Sequence, residues 1–468
     1  MDTRDTASAN GSTNSLTDAL NNAPLSLFHL KAMLTAGMGF FTDAYDLFVI
    51  GVAAVLIKAT WHPATWQLGL LSSTALLAAF LGATLFGRLA DVWGRKRIYG
   101  VEAALMAIAA MASAFAPSIM WLIAIRFVLG LGIGGDYPVS AVLMSEYANT
   151  KDRGRLVGMV FSMQAVGLVT GPVVALALLA AGVPAELAWR LLLGLGAIPA
   201  LGVILLRRRM PESPRYLARV RGETAQAAEA TRQYSGQTVA ASSQSEGRVR
   251  ANLRPYLLTL LGTAGTWFVF DYAYYGNSIS TPLILKMVAP HATLLQSTAW
   301  TLFVFALAAV PGYFLAFSKM DKIGHRRLQL IGFAVMGLAF LAMGVVPGLT
   351  STLIPFLLVY GLSYFFAEFG PNTTTFVLSG ELYPVNLRTT GHGLSAGIAK
   401  AGAFIGVFVF PLLAASLGLA GTLTITFVFA AVGFLLTLTL PEPAGRSLEE
   451  VSREREFEVG VTRQSAAG

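Results

Sequence analysis

The sequence predicts an all-α membrane protein of twelve transmembrane helices in two pseudo-symmetric six-helix bundles, and three observations lead there. The 468 residues are 55% hydrophobic and only 12% charged, with a mean hydropathy of +0.64. A soluble chain of that length would need far more charge to cover its surface. The apolar residues lie in bilayer-length runs, and twelve spans of about 20 residues use about 240 positions. Basic residues collect in alternate loops, and landmarks of the first half return in the second.

In chain order, residues 1–26 are rich in Ser, Thr, Asn and Asp and read as a disordered cytoplasmic tail, since no basic segment with a cleavage site marks a signal peptide. Spans follow at 27–57, 66–88, 98–116, 118–148, 155–182 and 188–207, making a first bundle of 27–207. Residues 208–254, with an Ala, Gln and Ser run over 223–245, read as a partly disordered cytoplasmic linker. Spans at 255–287, 294–318, 327–347, 350–383, 389–417 and 419–440 make a second bundle of 255–440, and the charged tail 441–468 reads as solvated.

Loops after spans 2, 4, 6, 8 and 10 carry Arg95-Lys96-Arg97, Lys151 to Arg155, Arg207-Arg208-Arg209, Lys319 to Arg327, and Arg388. Loops after the odd spans carry little beyond Lys58. Basic loops stay in the cytoplasm, which predicts a multi-pass protein of the cell (inner) membrane with both termini cytoplasmic. These loops account for much of the net charge of +8, so no nucleic-acid partner is expected.

The repeat has three landmarks. Asp91 in the GRLADVWGRKR loop returns as Asp321, the Glu146 and Arg153 pair as Glu381 and Arg388, and Pro211-Glu212 as Pro441-Glu442, each 230 to 235 positions on. Matching order at near-constant spacing implies two related bundles that rock about a site between them.

Several groups in the spans are costly to bury. A charge at a helix centre costs about 2.5 to 3.5 kcal/mol on insertion scales, so it usually faces protein or a watery cavity. Asp43 and Asp46, three apart, share one face of span 1. Span 4 carries Arg126, Asp136 and Tyr137, and span 5 Gln164. Span 7 carries Trp267, Asp271 and Tyr275 at four-residue spacing, span 10 Glu368 and Asn372, and span 11 Lys400. Most of these fall on spans 1, 4, 7 and 10, equivalent positions of the repeat. Phe40, Phe41 and Trp121 read as packing or interfacial residues, and the glycines at 130, 132, 134 and 135 as close helix contacts. With no Cys, disulfides and thiolate sites are excluded, and His325 and His392 lack metal-site spacing, so neither metal nor cofactor is expected. No nucleophile, base and orienter set can be assembled, so the chain does not read as an enzyme.

The loop motif, the EYANTKDR and ELYPVNLR pairs and PESPRYL resemble signatures of the major facilitator superfamily, the last close to the sugar-porter type. GFFTDAYDLF in span 1, GGDYPVSAVLMSEYAN in span 4 and FGPNTTTF in span 10 resemble the phosphate:proton symporter family, and the likeness covers about residues 30–440. That resemblance implies inorganic phosphate and protons as partners, contacted from a bilayer-embedded site in a monomer. It implies that Tyr137, Gln164, Trp267, Asp271, Tyr275 and Asn372 hold the anion. Asp43 and Asp136, with Arg126, would form the proton pathway, with Asp46 supporting it or handling the proton and Lys400 matching a basic position of the family. Glu368 departs from the neutral amide of many members and would add a proton site or alter the substrate. Asp91 with Arg95, Glu146 with Arg153, and Glu381 with Arg388 are assigned as gate latches, weak if exposed. Two alternatives stay open: a proton-coupled symporter of a sugar or organic acid, and a nutrient-sensing receptor that barely transports.

Overall fold

The structure, a computed structural model, describes residues 16–235 and 248–459. Span 1 is Leu27–Trp61, span 2 Thr65–Trp93, span 3 Val101–Ser113 and span 4 Ile119–Tyr147. Span 5 is Arg153–Ala180 and span 6 Ala185–Arg207. Span 7 is Leu257–Ile279, continued by Thr281–Val288; spans 8, 9 and 10 are Leu294–Ile323, His325–Val345 and Leu353–Glu381. Spans 11 and 12 share the segment Arg388–Thr437, divided where Gly418 takes φ 69°.

Among the described residues nine helices are long and apolar enough to cross a membrane by themselves. Dividing the last at Gly418, then adding span 3 and span 7, gives the twelve expected. Span 3 is shorter than its expected range of 98–116 because Gly100, at φ 116°, turns the chain just before it. Span 7 is polar for a reason given below.

Within the first bundle spans 2 and 4 pack closely, and in the second span 7 packs on span 11 and span 9 on span 12. Close approach is built into the sequence: a Cβ at Gly134 would collide with the Ala79 carbonyl of span 2. The bundles meet through spans 2 and 11, 5 and 8, and 1 and 7. At the end bearing the basic loops this contact is tight, since Gly87 and Gly393 lie against the backbone of the opposite bundle. Toward the opposite end spans 1, 2, 7 and 11 part around a cleft of about 790 Å³, lined by Gly51, Lys58, Trp66, Ile279, Phe408 and Pro411 among others.

Span 10 is broken at its middle. Pro371 has no N–H to give, Gly370 leaves helical geometry at φ −114° and ψ −107°, and Glu368–Asn372 forms a π-helical turn.

The segments outside the bundles differ from expectation. The tail through residue 26 is expected to be disordered, yet Leu16–Asn21 is a helix with Leu16, Ala19 and Leu20 buried; residues 1–15 lie outside the described residues. The linker 208–254 is ordered through residue 235, and residues 236–247 lie outside the description. The tail 441–468 is only partly solvated: Leu448, Glu449, Ser452 and Glu454 are buried while Arg446, Glu450, Arg453 and Glu456 are exposed, and residues 460–468 lie outside the description.

Charge explains this order. Arg215 of the linker donates to Glu449 of the tail at 2.9 Å, to Asn21 of the N-terminal helix at 2.7 Å, and to the Glu146 carbonyl. Arg219 pairs with Glu454 at 2.5 Å and with Glu458, and strands Arg248–Val249 and Glu458–Val459 pair antiparallel. Three segments thus form one strap over the basic end.

The strap yields a prediction. Burial alone would raise the Glu449 carboxyl, but the Arg215 and Arg219 guanidinium groups outweigh it and hold it well below its usual 4.5. A carboxyl depressed on folding stabilises above its unfolded value and loses that contribution only at more acid pH, so the strap should not loosen between pH 8 and pH 5. Glu454→Gln should loosen it at every pH. On this cysteine-free background, Ala141→Cys, at the bundle interface facing Gly380, should then react with a maleimide about tenfold faster, equivalent to about 1.4 kcal/mol.

Candidate functional site

Where the two bundles face each other at mid-span, Asp43, Tyr137, Gln164, Trp267, Asp271, Tyr275, Glu368, Asn372 and Lys400 are all buried. Span 7 turns its polar stripe inward here, which is why it is too polar to count as a span by hydropathy. Lys400 of span 11 donates to Asp271 at 3.0 Å and Tyr275 at 3.1 Å. Its ammonium also lies 4.4 Å from the ring centroids of Tyr137 and Tyr275. Tyr137 donates to Asp43 Oδ2 at 2.8 Å, and Gln164 donates to Tyr137 at 3.1 Å.

The hydrogen bonds continue into the second bundle. Tyr313 of span 8 donates to Gln164 Oε1 at 2.9 Å, and Asn372 donates to Tyr313 at 2.8 Å and to Glu368 Oε2 at 2.5 Å. The π turn brings Glu368 and Asn372 into register on the inner face. One oxygen each of Asp43, Asp271 and Glu368 has no hydrogen-bond partner. All six residues assigned to the anion are therefore gathered here, and Lys400, assigned to proton coupling, joins them as the counter-charge of Asp271.

Toward the basic end the site rests on aromatic rings. Phe161 and Phe376 stack at 4.5 Å, Phe40 lies 5.0 Å from Phe376 and 5.1 Å from Tyr137, and His392 stands edge-on between Trp267 and Phe376. Phe40 is packing as expected, but it packs as the floor of the site.

The remaining charged groups of the first bundle are arranged differently from the expectation. Arg126 does not join Asp43 or Asp136: it forms a bidentate pair with Asp46, at 3.2 and 3.0 Å, one turn further along span 1. Asp136 pairs instead with Arg207 at 2.6 Å and accepts from Ser140 at 2.6 Å, while Arg207 also reaches Glu102 at 2.8 Å. Asp136 still lies one turn below Asp43, because Gly39 leaves room: a Cβ there would collide with Asp136 Oδ2. Sequence spacing put Asp43 and Asp46 on one face and could not reveal that they serve separate partners.

The gate residues are also paired otherwise than expected. Glu146 and Arg153 do not pair, nor do Glu381 and Arg388; the partners are exchanged across the bundles. Glu146 binds Arg388 at 3.0 Å and Arg95 at 3.2 Å, and Arg153 binds Glu381 at 2.7 Å. Nor are they exposed; all five are buried. Removing one partner of such a pair costs about 3 to 5 kcal/mol, far above the 0 to 1 kcal/mol of a surface pair. Asp91 pairs with Arg95 at 3.1 Å and also caps span 11, accepting from the Thr390 N–H at 2.7 Å. Asp321 does the same for span 5, accepting from the N–H groups of Gly154 and Arg155.

Sequence reasoning missed Tyr313, Glu102, Arg207 as a buried partner, and Glu454, which takes a second bond from Arg388 at 2.5 Å. Arg207 was legible only as loop charge, and Tyr313 is one of several Tyr residues in the second half.

A double-mutant cycle tests the Asp271 and Lys400 pair. Lys400→Gln leaves a buried carboxylate without its cation and should destabilise by about 3 to 5 kcal/mol. Lys400→Gln with Asp271→Asn should recover most of that loss, read as the melting temperature of the purified protein.

Residues 32–454 match the sugar (and other) transporter family. Over 508 residues the chain is 35% identical to the "Probable inorganic phosphate transporter 1-6" of Arabidopsis thaliana, covering 96% of this chain and 98% of that protein. It is 36% identical over 509 residues to the "Inorganic phosphate transporter 1-11" of Oryza sativa subsp. japonica, covering 96% and 92%. Among solved structures, the proton:xylose symporter XylE bound to 6-bromo-6-deoxy-D-glucose superposes with a TM-score of 0.78 at 20% identity, over 92% of this chain and 99% of that one. A partially occluded inward-open xylose transporter from E. coli gives 0.71 at 20% identity, over 89% and 99%. At such identities those likenesses carry the fold, while the sequence matches carry the family. The chain, which has the major facilitator fold, belongs to the sugar (and other) transporter family, and within it stands beside the inorganic phosphate transporters.

Proposed function

We propose that this protein carries inorganic phosphate inward across the cell (inner) membrane together with protons, by alternating access of the central site. The observation that supports this most is the charge around that site. Three carboxyls, on Asp43, Asp271 and Glu368, face one ammonium, on Lys400. With every acid ionised such a chamber repels an anion; with protons present it accepts one.

Phosphate fits the hydrogen-bonding groups as well as the charge. Lys400, Tyr137, Gln164, Trp267, Tyr275 and Asn372 can donate to its oxygens. Its own hydroxyl can donate to Asp43 or Asp271, each with a carboxylate oxygen lacking a protein partner. Sulfate, fully ionised at neutral pH, has no such hydroxyl, so selectivity would follow from the donor pattern. Asp43 would take the proton on the outer side and Asp136, one turn nearer the basic end, would pass it on. With the basic loops in the cytoplasm, both termini lie inside. An inside-negative potential adds about 2.3 kcal/mol per excess positive charge per 100 mV. One chain encloses the whole site, so a monomer suffices.

The rival reading, a proton-coupled sugar or organic-acid symporter, draws support from the family and the fold. A neutral sugar gives no reason for a buried ammonium and carboxylate pair at the site. Proteoliposomes decide between them: labelled phosphate should accumulate with an inward proton gradient, stop with uncoupler, and be competed by arsenate but not by sulfate, sugars or carboxylates. Asp43→Asn should cut gradient-driven accumulation by about tenfold or more while sparing phosphate exchange, as about 1.4 kcal/mol of lost coupling requires. Uptake indifferent to the proton gradient would overturn the reading.

A further inference from the structure

We infer that Glu368 is a second proton-carrying side chain, loaded together with the anion because carboxylate and anion compete for the same donor, the Asn372 amide. This rests on the phosphate:proton reading above and adds a proton to it.

Glu368 is wholly buried at the middle of span 10, and it takes part in no ion pair among the described residues, unlike Asp46, Asp136 and Asp271. An isolated carboxylate in such surroundings is strongly disfavoured. What the protein supplies instead is neutral. Asn372 donates to Glu368 Oε2 at 2.5 Å. The phenols of Tyr274 from span 7 and Tyr313 from span 8 stand near the carboxyl, and Tyr364 lies on the same helix. Span 9 packs Gly332 and the Leu328 carbonyl against Gly370, and the side chains acting on the Glu368 carboxyl come from spans 7, 8 and 10. Glu368 Oε1 and the Tyr274 hydroxyl make no hydrogen bond within normal limits.

Asn372 is therefore shared. Its NH₂ holds Glu368 and Tyr313 at once, and it belongs to the set that would grip a phosphate oxygen. When the amide turns to the anion, Glu368 loses its closest hydrogen-bond donor, keeping only the Tyr274 and Tyr313 phenols nearby, and gains a negative neighbour. Both changes favour the protonated carboxylic acid. Binding of the anion and of a proton at Glu368 are thus positively linked, and each strengthens the other by the same factor. A proton from the outer water adds to the carboxylate as phosphate enters; it leaves to the inner water after phosphate departs and Asn372 returns. The carboxyl is regenerated each cycle, and no other group is consumed.

The test measures charge moved per phosphate in proteoliposomes, from the voltage that nulls net phosphate flux at fixed gradients. Glu368→Gln should move one fewer positive charge per phosphate than the wild type. An unchanged ratio overturns the proposal while leaving phosphate symport standing; a wild type that fails to accumulate phosphate overturns the reading beneath it. If Glu368→Gln does not fold, infrared difference spectra of the wild type and of Asp43→Asn on phosphate addition replace it. A new protonated-carboxyl band surviving in Asp43→Asn supports Glu368, and a band absent from the wild type or lost in Asp43→Asn overturns it.

Discussion

An ionised side chain in hydrocarbon survives only beside an opposite charge, and most of this protein is arranged around that constraint. Lys400 stands against Asp271, Arg126 against Asp46, and Arg207 against Asp136 and Glu102. Nearer the basic end Arg153 stands against Glu381, and Arg95 and Arg388 share Glu146. Once these cations are assigned, Asp43 and Glu368 remain at the central site hydrogen-bonded to neutral donors, with the nearby Lys400 already paired to Asp271. A carboxylate free of a guanidinium changes its protonation state more readily, so Asp136 would have to part from Arg207 before it could pass a proton on.

The duplicated sequence shows what each repeat unit does. Glu212 accepts from the Lys96 N–H at the helix start after Gly94, and Glu442 accepts from the His325 and Arg326 N–H groups after Gly324. Each glutamate thus ties the end of its bundle to a helix start in the same bundle. The aspartates do the reverse: Asp91 reaches from the first bundle to span 11, and Asp321 from the second to span 5. Each half therefore holds itself together with one acid and its partner with the other, and a rigid-body tilt would break only the second kind.

The fold was legible in the sequence because bilayer thickness fixes span length and loop charge marks one side of the membrane. The site was legible at the level of residues, since an acid or amide inside a span has few places to go; Asp43, Asp271, Asn372 and Lys400 converge as their positions suggested. Pairing was not legible. Asp43 and Asp46 sit three residues apart with unrelated partners, and Glu146 binds Arg388 rather than the Arg153 seven residues on, because contact across two bundles leaves no trace in linear spacing. The linker and tail misled for another reason. Their composition is that of a solvated segment, but Arg215, Arg219, Glu449 and Glu454 neutralise one another and become buried.

The rings beneath the site matter for what they exclude. Phe40, Phe161 and Phe376, with the Tyr137 ring above and His392 at the side, pack between Asp43, Asp271 and Glu368 and the basic end. They form an apolar layer in series with the site. The phenylalanine rings offer no polar atom to water or an anion, so the carrier proposed above would open on that side only by parting them.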